Sequence, residues 1–160
     1  MTVADESVRR RQYVDALARW LACPLQPSRI VLVENSGEDL ERLAYSAARG
    51  TPSNPPILLS APPPVGVIKR GKGAAEAEMI DYALSQLDLL EDQHHLFKVT
   101  GRLYVRNIRR IIPRMRGRRE IILRGTLDRS SVDTRFFGAS GDVWRRNLRS
   151  ISGSARRAGS

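Results

Sequence analysis

Apolar residues recur at helical spacing from Glu6 to Leu21: Tyr13, Val14, Leu17, Trp20 and Leu21 share one side. Arg9, Arg10, Arg11, Asp15 and Arg19 fill the remainder, and Pro24 and Pro27 end the helix. The β-branched run Arg29–Val33 (RIVLV) then predicts a strand buried on both faces, as in a parallel sheet. Glu34–Gly37 (ENSG) follows at once and opens a helix with Leu40, Leu43, Ala44 and Ala47 on one face. Asn35 or Ser36 is placed to cap that helix, and Glu38 and Asp39 suit its first turn. Gly50–Pro56 is turn-rich, and Ile57–Ser60 (ILLS) predicts a second strand.

Three consecutive prolines make Ala61–Gly66 an extended loop. Beyond it, Gly71 and Gly73 flank Lys72, and a helix starts with Ile80, Ala83, Leu84, Leu87 and Leu90 directed inward. Leu96, Phe97 and Val99 predict a strand that runs into Lys98, Thr100, Gly101 and Arg102. Asn107–Arg116 alternates Ile108, Ile111, Ile112 and Met115 with Arg109, Arg110, Arg114 and Arg116, an amphipathic basic helix that Pro113 kinks or ends. Glu120–Leu123 and Val132–Phe137 predict two further extended stretches, and Gly141–Leu148 a last helix containing Trp144. Alternation of strands with helices predicts an α/β fold, a central and mostly parallel sheet with helices on both faces. Residues 1–151 are expected to form a single domain, and 152–160 (SGSARRAGS) a disordered tail.

Composition narrows the class. A chain of 160 residues with 41% hydrophobic and 28% charged positions suits one soluble domain with a real core. No apolar run is long enough to cross a bilayer, and the acidic start at Met1–Ser7 does not read as a signal peptide. Cys23 is the single cysteine, so no intrachain disulfide forms, which fits a reducing cytosol. Formal charge is +10, and the excess lies after about Asp92. Such a surface attracts nucleic acid, nucleotide phosphates or an anionic membrane.

Candidate chemistry gathers at Lys98–Arg102. A strand that ends on a hydroxyl, a glycine and two cations suits the floor of an anion site. Gly101 permits a turn or close approach, and Arg102 offers a planar fork of donors. A strand–turn–strand with solvated cations is the plainer alternative. Glu34, Asn35 and Ser36 occupy the turn after a strand, on the side where α/β sheets bind ligands. Lys72 and Gly73 form a basic glycine-containing entry to a helix, suited to an anion. Neither GxxxxGK[ST] nor GxGxxG is present. His94 and His95 form a metal site only if carboxylates converge on them; otherwise they are a surface pair.

In this order, ENSG after a strand, GKG before a helix, FKVTGRL and DTRFF resemble a group of bacterial glycosyltransferase-like proteins of surface-polysaccharide assembly. That group is similar to the nucleotide-diphospho-sugar transferase (GT-A) fold, and the resemblance covers about Tyr13 to Leu148. It implies a GT-A or Rossmann-like sheet, here without the family's first strand or its far C-terminal part. It implies a nucleotide-sugar donor and a glycan or lipid-linked acceptor, with a cytoplasmic location or peripheral contact with the inner membrane. Glu34, Asn35, Ser36, Lys72, Gly73, Lys98, Thr100, Gly101, Arg102, Thr134 and Arg135 would then line the donor site. Asp133 and Glu76 are the expected catalytic carboxylates, with Asp128 an alternative.

Many relatives carry a DxD metal motif where this chain has Lys98–Arg102, so no metal ligand is assigned, although Mn²⁺ or Mg²⁺ is the usual partner of such sites. Lys98 and Arg102 are expected to neutralise a leaving diphosphate instead. Ala74 and Ala75 also replace an aromatic residue and a glycine common in the family loop. Two rival expectations stand beside this one: a basic nucleic-acid-binding protein that uses Asn107–Arg119, and a non-catalytic, truncated remnant of a transferase.

Overall fold

The structure, a computed structural model, describes residues 3–25, 27–48, 54–63, 72–87, 94–115, 122–125, 132–144 and 146. The chain divides into two compact units, Met1–Gln86 with Gly101–Tyr104, and Leu87–Thr100 with Val105–Ser160.

In the first unit, helix α1 (Val3–Leu21) is followed by strand β1 (Val31–Glu34), helix α2 (Leu40–Ala48), strand β2 (Ile57–Ser60) and helix α3 (Lys72–Gln86). β1 and β2 pair in parallel, with Val31 opposite Ile57 and Glu34 opposite Ser60. Ile57 N–H to Ile30 C=O (2.9 Å) and Ala61 N–H to Glu34 C=O (2.7 Å) extend the pairing beyond both ends. Leu17 of α1 and Leu43 and Ala47 of α2 form the buried centre, ringed by Tyr13, Val14, Leu21, Ile30 and Leu32. This is the apolar stripe predicted from the spacing in both helices.

Trp20 anchors the 101–104 segment to α1. Its Nε1 donates to Leu103 C=O at 2.9 Å, and its ring meets Tyr104 edge-on at 4.9 Å. Asp39, not Asn35 or Ser36, caps α2: its Oδ1 accepts the Arg42 N–H at 3.0 Å. The cap falls there because Gly37 turns the chain through φ +85°, which delays the first helical turn.

The second unit contains β3 (His95–Val99), helix α4 (Ile108–Met115), β4 (Ile122–Gly125), β5 (Val132–Ser140) and helical residues at 141–144. Its sheet runs β3-β5-β4, and both pairings are antiparallel. Phe97 lies opposite Gly138 and stacks on Phe136 with ring centroids 5.8 Å apart. A Cβ on Gly138 would collide with the Phe97 ring and stand 3.0 Å from Leu96 O, so this glycine makes room for the aromatic across the strand. On the other face Phe137 stacks on Trp144 at 5.3 Å, and Trp144 Nε1 donates to Leu96 C=O at 3.0 Å.

The mixed α/β class is present. Among the described residues, however, one mostly parallel sheet is replaced by a parallel pair and a separate antiparallel sheet of three strands. Chain length gives the reason. Only residues 126–131 connect β4 to β5, too few for the crossover that a parallel neighbour needs. Val132–Phe137 was the expected extent of the last strand; it continues through Gly138 to Ser140, where glycine and small residues weaken the strand pattern. Lys72 and Gly73 open α3 rather than forming a loop before it. Gly71, Leu90, Asp128 and the 152–160 tail lie outside the described residues.

Candidate functional site

Strand pairing brings together four of the site residues expected from the sequence, Lys98, Thr100, Asp133 and Arg135, with Phe137 beside them. Lys98 lies opposite Phe137, and Thr100 N–H donates to Arg135 C=O at 2.8 Å, one residue beyond the end of β3. With side chains alternating at period two, Lys98, Thr100, Asp133, Arg135 and Phe137 share one face of the β3–β5 pair. Lys98 Nζ donates to Thr134 C=O at 2.6 Å and to Thr100 Oγ1 at 3.2 Å. It also stands 5.6 Å from the centroid of the Phe137 ring. The ammonium is thus held beside the Phe137 ring, on which Trp144 stacks.

Asp133 and Arg135 form a fork-on-fork pair. Asp133 Oδ1 accepts the Arg135 backbone N–H at 3.0 Å and its Nε–H at 2.9 Å, while Oδ2 accepts from Nη2 at 2.7 Å. These hydrogen bonds, and then the carboxylate's charge, raise the Arg135 pKa above its ordinary value; the small desolvation opposes them. Arg135 is 65% exposed against 24% for Asp133, so the guanidinium presents its outer edge to solvent while the carboxylate holds its inner edge. One ammonium, one guanidinium and one carboxylate leave the face with a net positive charge. Geometrically it suits an anion with several oxygens.

The remaining candidates belong to the first unit. Glu34, Asn35 and Ser36 follow β1, where Glu34 lies beside Ser60 at the carboxyl ends of the parallel strands. The Glu34 carboxylate accepts the Ser36 N–H and closes this turn on itself. Arg10 pairs with Glu38 at 3.2 Å just beyond it. Lys72 and Gly73 are in the first turn of α3, and Glu76 is half-buried one turn on. Gly101 and Arg102 form an exposed turn. The close approach that Gly101 permits is to Tyr13, because a Cβ there would lie 2.7 Å from Tyr13 Cδ1.

Sequence reasoning missed Tyr13, Phe137 and Trp144 as supports of these residues. Phe137 was the signal available, since a strand residue two positions after Arg135 must share its face. Among the described residues no three His, Cys, Asp or Glu side chains converge as metal ligands, and both Asp133 oxygens accept from Arg135. Mn²⁺ or Mg²⁺ therefore has no fitting donor set among them. Comparison with protein-family models, with curated proteins and with solved structures finds no match to this chain.

Proposed function

We propose that the chain is a glycosyltransferase-like protein whose Lys98–Arg135 face holds the diphosphate of a nucleotide-sugar donor, for transfer of the sugar to a glycan or lipid-linked acceptor. One observation carries the proposal. FKVT and DTRFF, far apart in sequence, lie side by side through β3 and β5 and set Lys98, Thr100 and Arg135 on one face. In this reading Arg135 grips two phosphate oxygens and Lys98 supplies a point charge. Both stabilise the negative charge that develops as the sugar–phosphate bond breaks. A GT-A or Rossmann-like ancestry for the βαβα segment from β1 to α3 belongs to the same proposal.

Asp133 then orients Arg135. Both of its carboxylate oxygens accept from the guanidinium and hold its inner edge.

A thermal-shift series against nucleoside diphosphates and nucleotide sugars, with and without Mn²⁺, tests this. A donor at a hundred times its Kd adds about 2.7 kcal/mol to folding stability. For a chain of this length that raises the melting temperature by roughly 5–10 °C. The expected result is a shift selective for one base, present without Mn²⁺ and lost in Lys98→Ala and Arg135→Ala variants that melt like the parent when unliganded. Absence of any shift across the series overturns the proposal.

A further inference from the structure

Among the described residues of the β3–β5 face, Asp133 is the only carboxylate beside Lys98, Thr100 and Arg135. Three hydrogen bonds fix it there. Its Oδ1 accepts the backbone N–H of Arg135 at 3.0 Å and its Nε–H at 2.9 Å, and its Oδ2 accepts from Nη2 at 2.7 Å. The backbone bond ties the carboxylate to its own strand, so it stays in place when a ligand takes the exposed outer edge of the guanidinium. An oxyanion on that edge lies about 7 Å from the Asp133 charge, one guanidinium width plus a hydrogen bond on either side.

We infer that Asp133 sets which phosphates this face prefers: it penalises a terminal, doubly charged phosphate relative to one that is esterified on both sides and carries a single charge. The inference rests on the donor reading of this site and deepens it. Both phosphates of a nucleotide sugar are of the singly charged kind. The nucleoside diphosphate left after transfer ends in the other kind, because a phosphate monoester loses its second proton at about pH 6. Lys98 and Arg135 alone would hold that product more tightly than the donor. The carboxylate opposes the additional charge, and so favours release of product and its exchange for donor. One unit charge about 7 Å from another costs roughly threefold in affinity at the dielectric of water, and more where the dielectric is lower.

The test is isothermal titration of the full chain at about pH 8, where the terminal phosphate is fully charged, and at about 0.01 M ionic strength, where screening is weak. The ligands are the pairs UDP and UDP-glucose, ADP and ADP-glucose, and GDP and GDP-mannose. The ratio of the two Kd values within a pair is read, because damage to the fold or to the placement of Arg135 weakens both members alike. Asp133→Asn should shift that ratio toward the nucleoside diphosphate by at least about threefold. Asp133→Glu, which keeps the charge, should stay close to the parent. An unchanged ratio in Asp133→Asn, an equal shift in Asp133→Glu, or loss of all binding in Asp133→Asn overturns this inference and leaves the donor reading standing. A parent chain that binds no member of any pair overturns both.

Discussion

At Gly101 the need for glycine has a cause that only the fold supplies. A glycine between a hydroxyl and a cation reads as a place where a ligand comes close to the backbone. In the fold the space beside it is occupied by the Tyr13 ring. A side chain at this position must displace that ring, which itself packs against the Leu17–Leu43–Ala47 core. Overpacking of this kind costs about 1–3 kcal/mol. Gly101→Ala should therefore lower the melting temperature by roughly 3–10 °C in a chain of this size, and Tyr13→Ala in the same background should recover part of that loss. Additive losses in a double-mutant cycle would show that the two residues do not meet.

Lys98 was legible as a cation beside a strand end and Arg135 only through the resemblance, but the partners of neither were. A donor to Thr134 C=O and a bidentate hold on Asp133 depend on which strand lies alongside, and spacing within one segment carries no information about that. The Asp133 contact also fixes the pH behaviour of Arg135. Its pKa is raised, so the interaction is fully present below the ordinary arginine range and is lost only when pH rises through the still higher folded value. Donor-induced stabilisation should therefore show no loss attributable to Arg135 between about pH 6 and pH 9, and a thermal-shift series over that range checks it.

Elements were predicted close to where they occur, because periodicity is a property of each segment alone. The segments expected as α1, β1, α2, β2, β3 and α4 all appear with ends shifted by a few residues. Pairing is decided elsewhere, by connection length and by the shapes that meet across strands. A six-residue connection is short enough only for β5 to pair antiparallel with β4, and Gly138 admits the Phe97 ring so that β3 can close on its other edge. The N-terminus of α2 was likewise misplaced by a few residues. ENSG contains good capping residues, but Glu34 and Gly37 use that stretch for a turn and leave the cap to Asp39. Asp39→Ala should cost about 1 kcal/mol in chemical denaturation, whereas Asn35→Ala should leave the denaturation midpoint nearly unchanged. The reverse order would mean that α2 starts earlier than the structure shows.

Charge is distributed unevenly over the whole molecule, and this shows in how stability responds to salt. The first unit is almost neutral, with 11 Lys and Arg against 10 Asp and Glu, whereas the second has 16 against 7. Like charges confined to one compact unit repel at a range that salt controls. Raising ionic strength from about 0.01 M to about 0.1 M shortens the screening length from roughly 30 Å to roughly 10 Å. Surface pairs such as Arg10–Glu38 and Arg146–Asp142 weaken under the same change, but exposed pairs are worth little each. Repulsion relieved across the second unit is the larger effect, so the melting temperature should rise with salt by about 1–3 °C, on the order of 0.5–1 kcal/mol. Replacing Arg109, Arg110 and Arg114 together by Gln should flatten this response. A melting temperature that falls with salt in the parent chain would mean that attractive pairs, not the arginine excess, dominate the electrostatics of the fold.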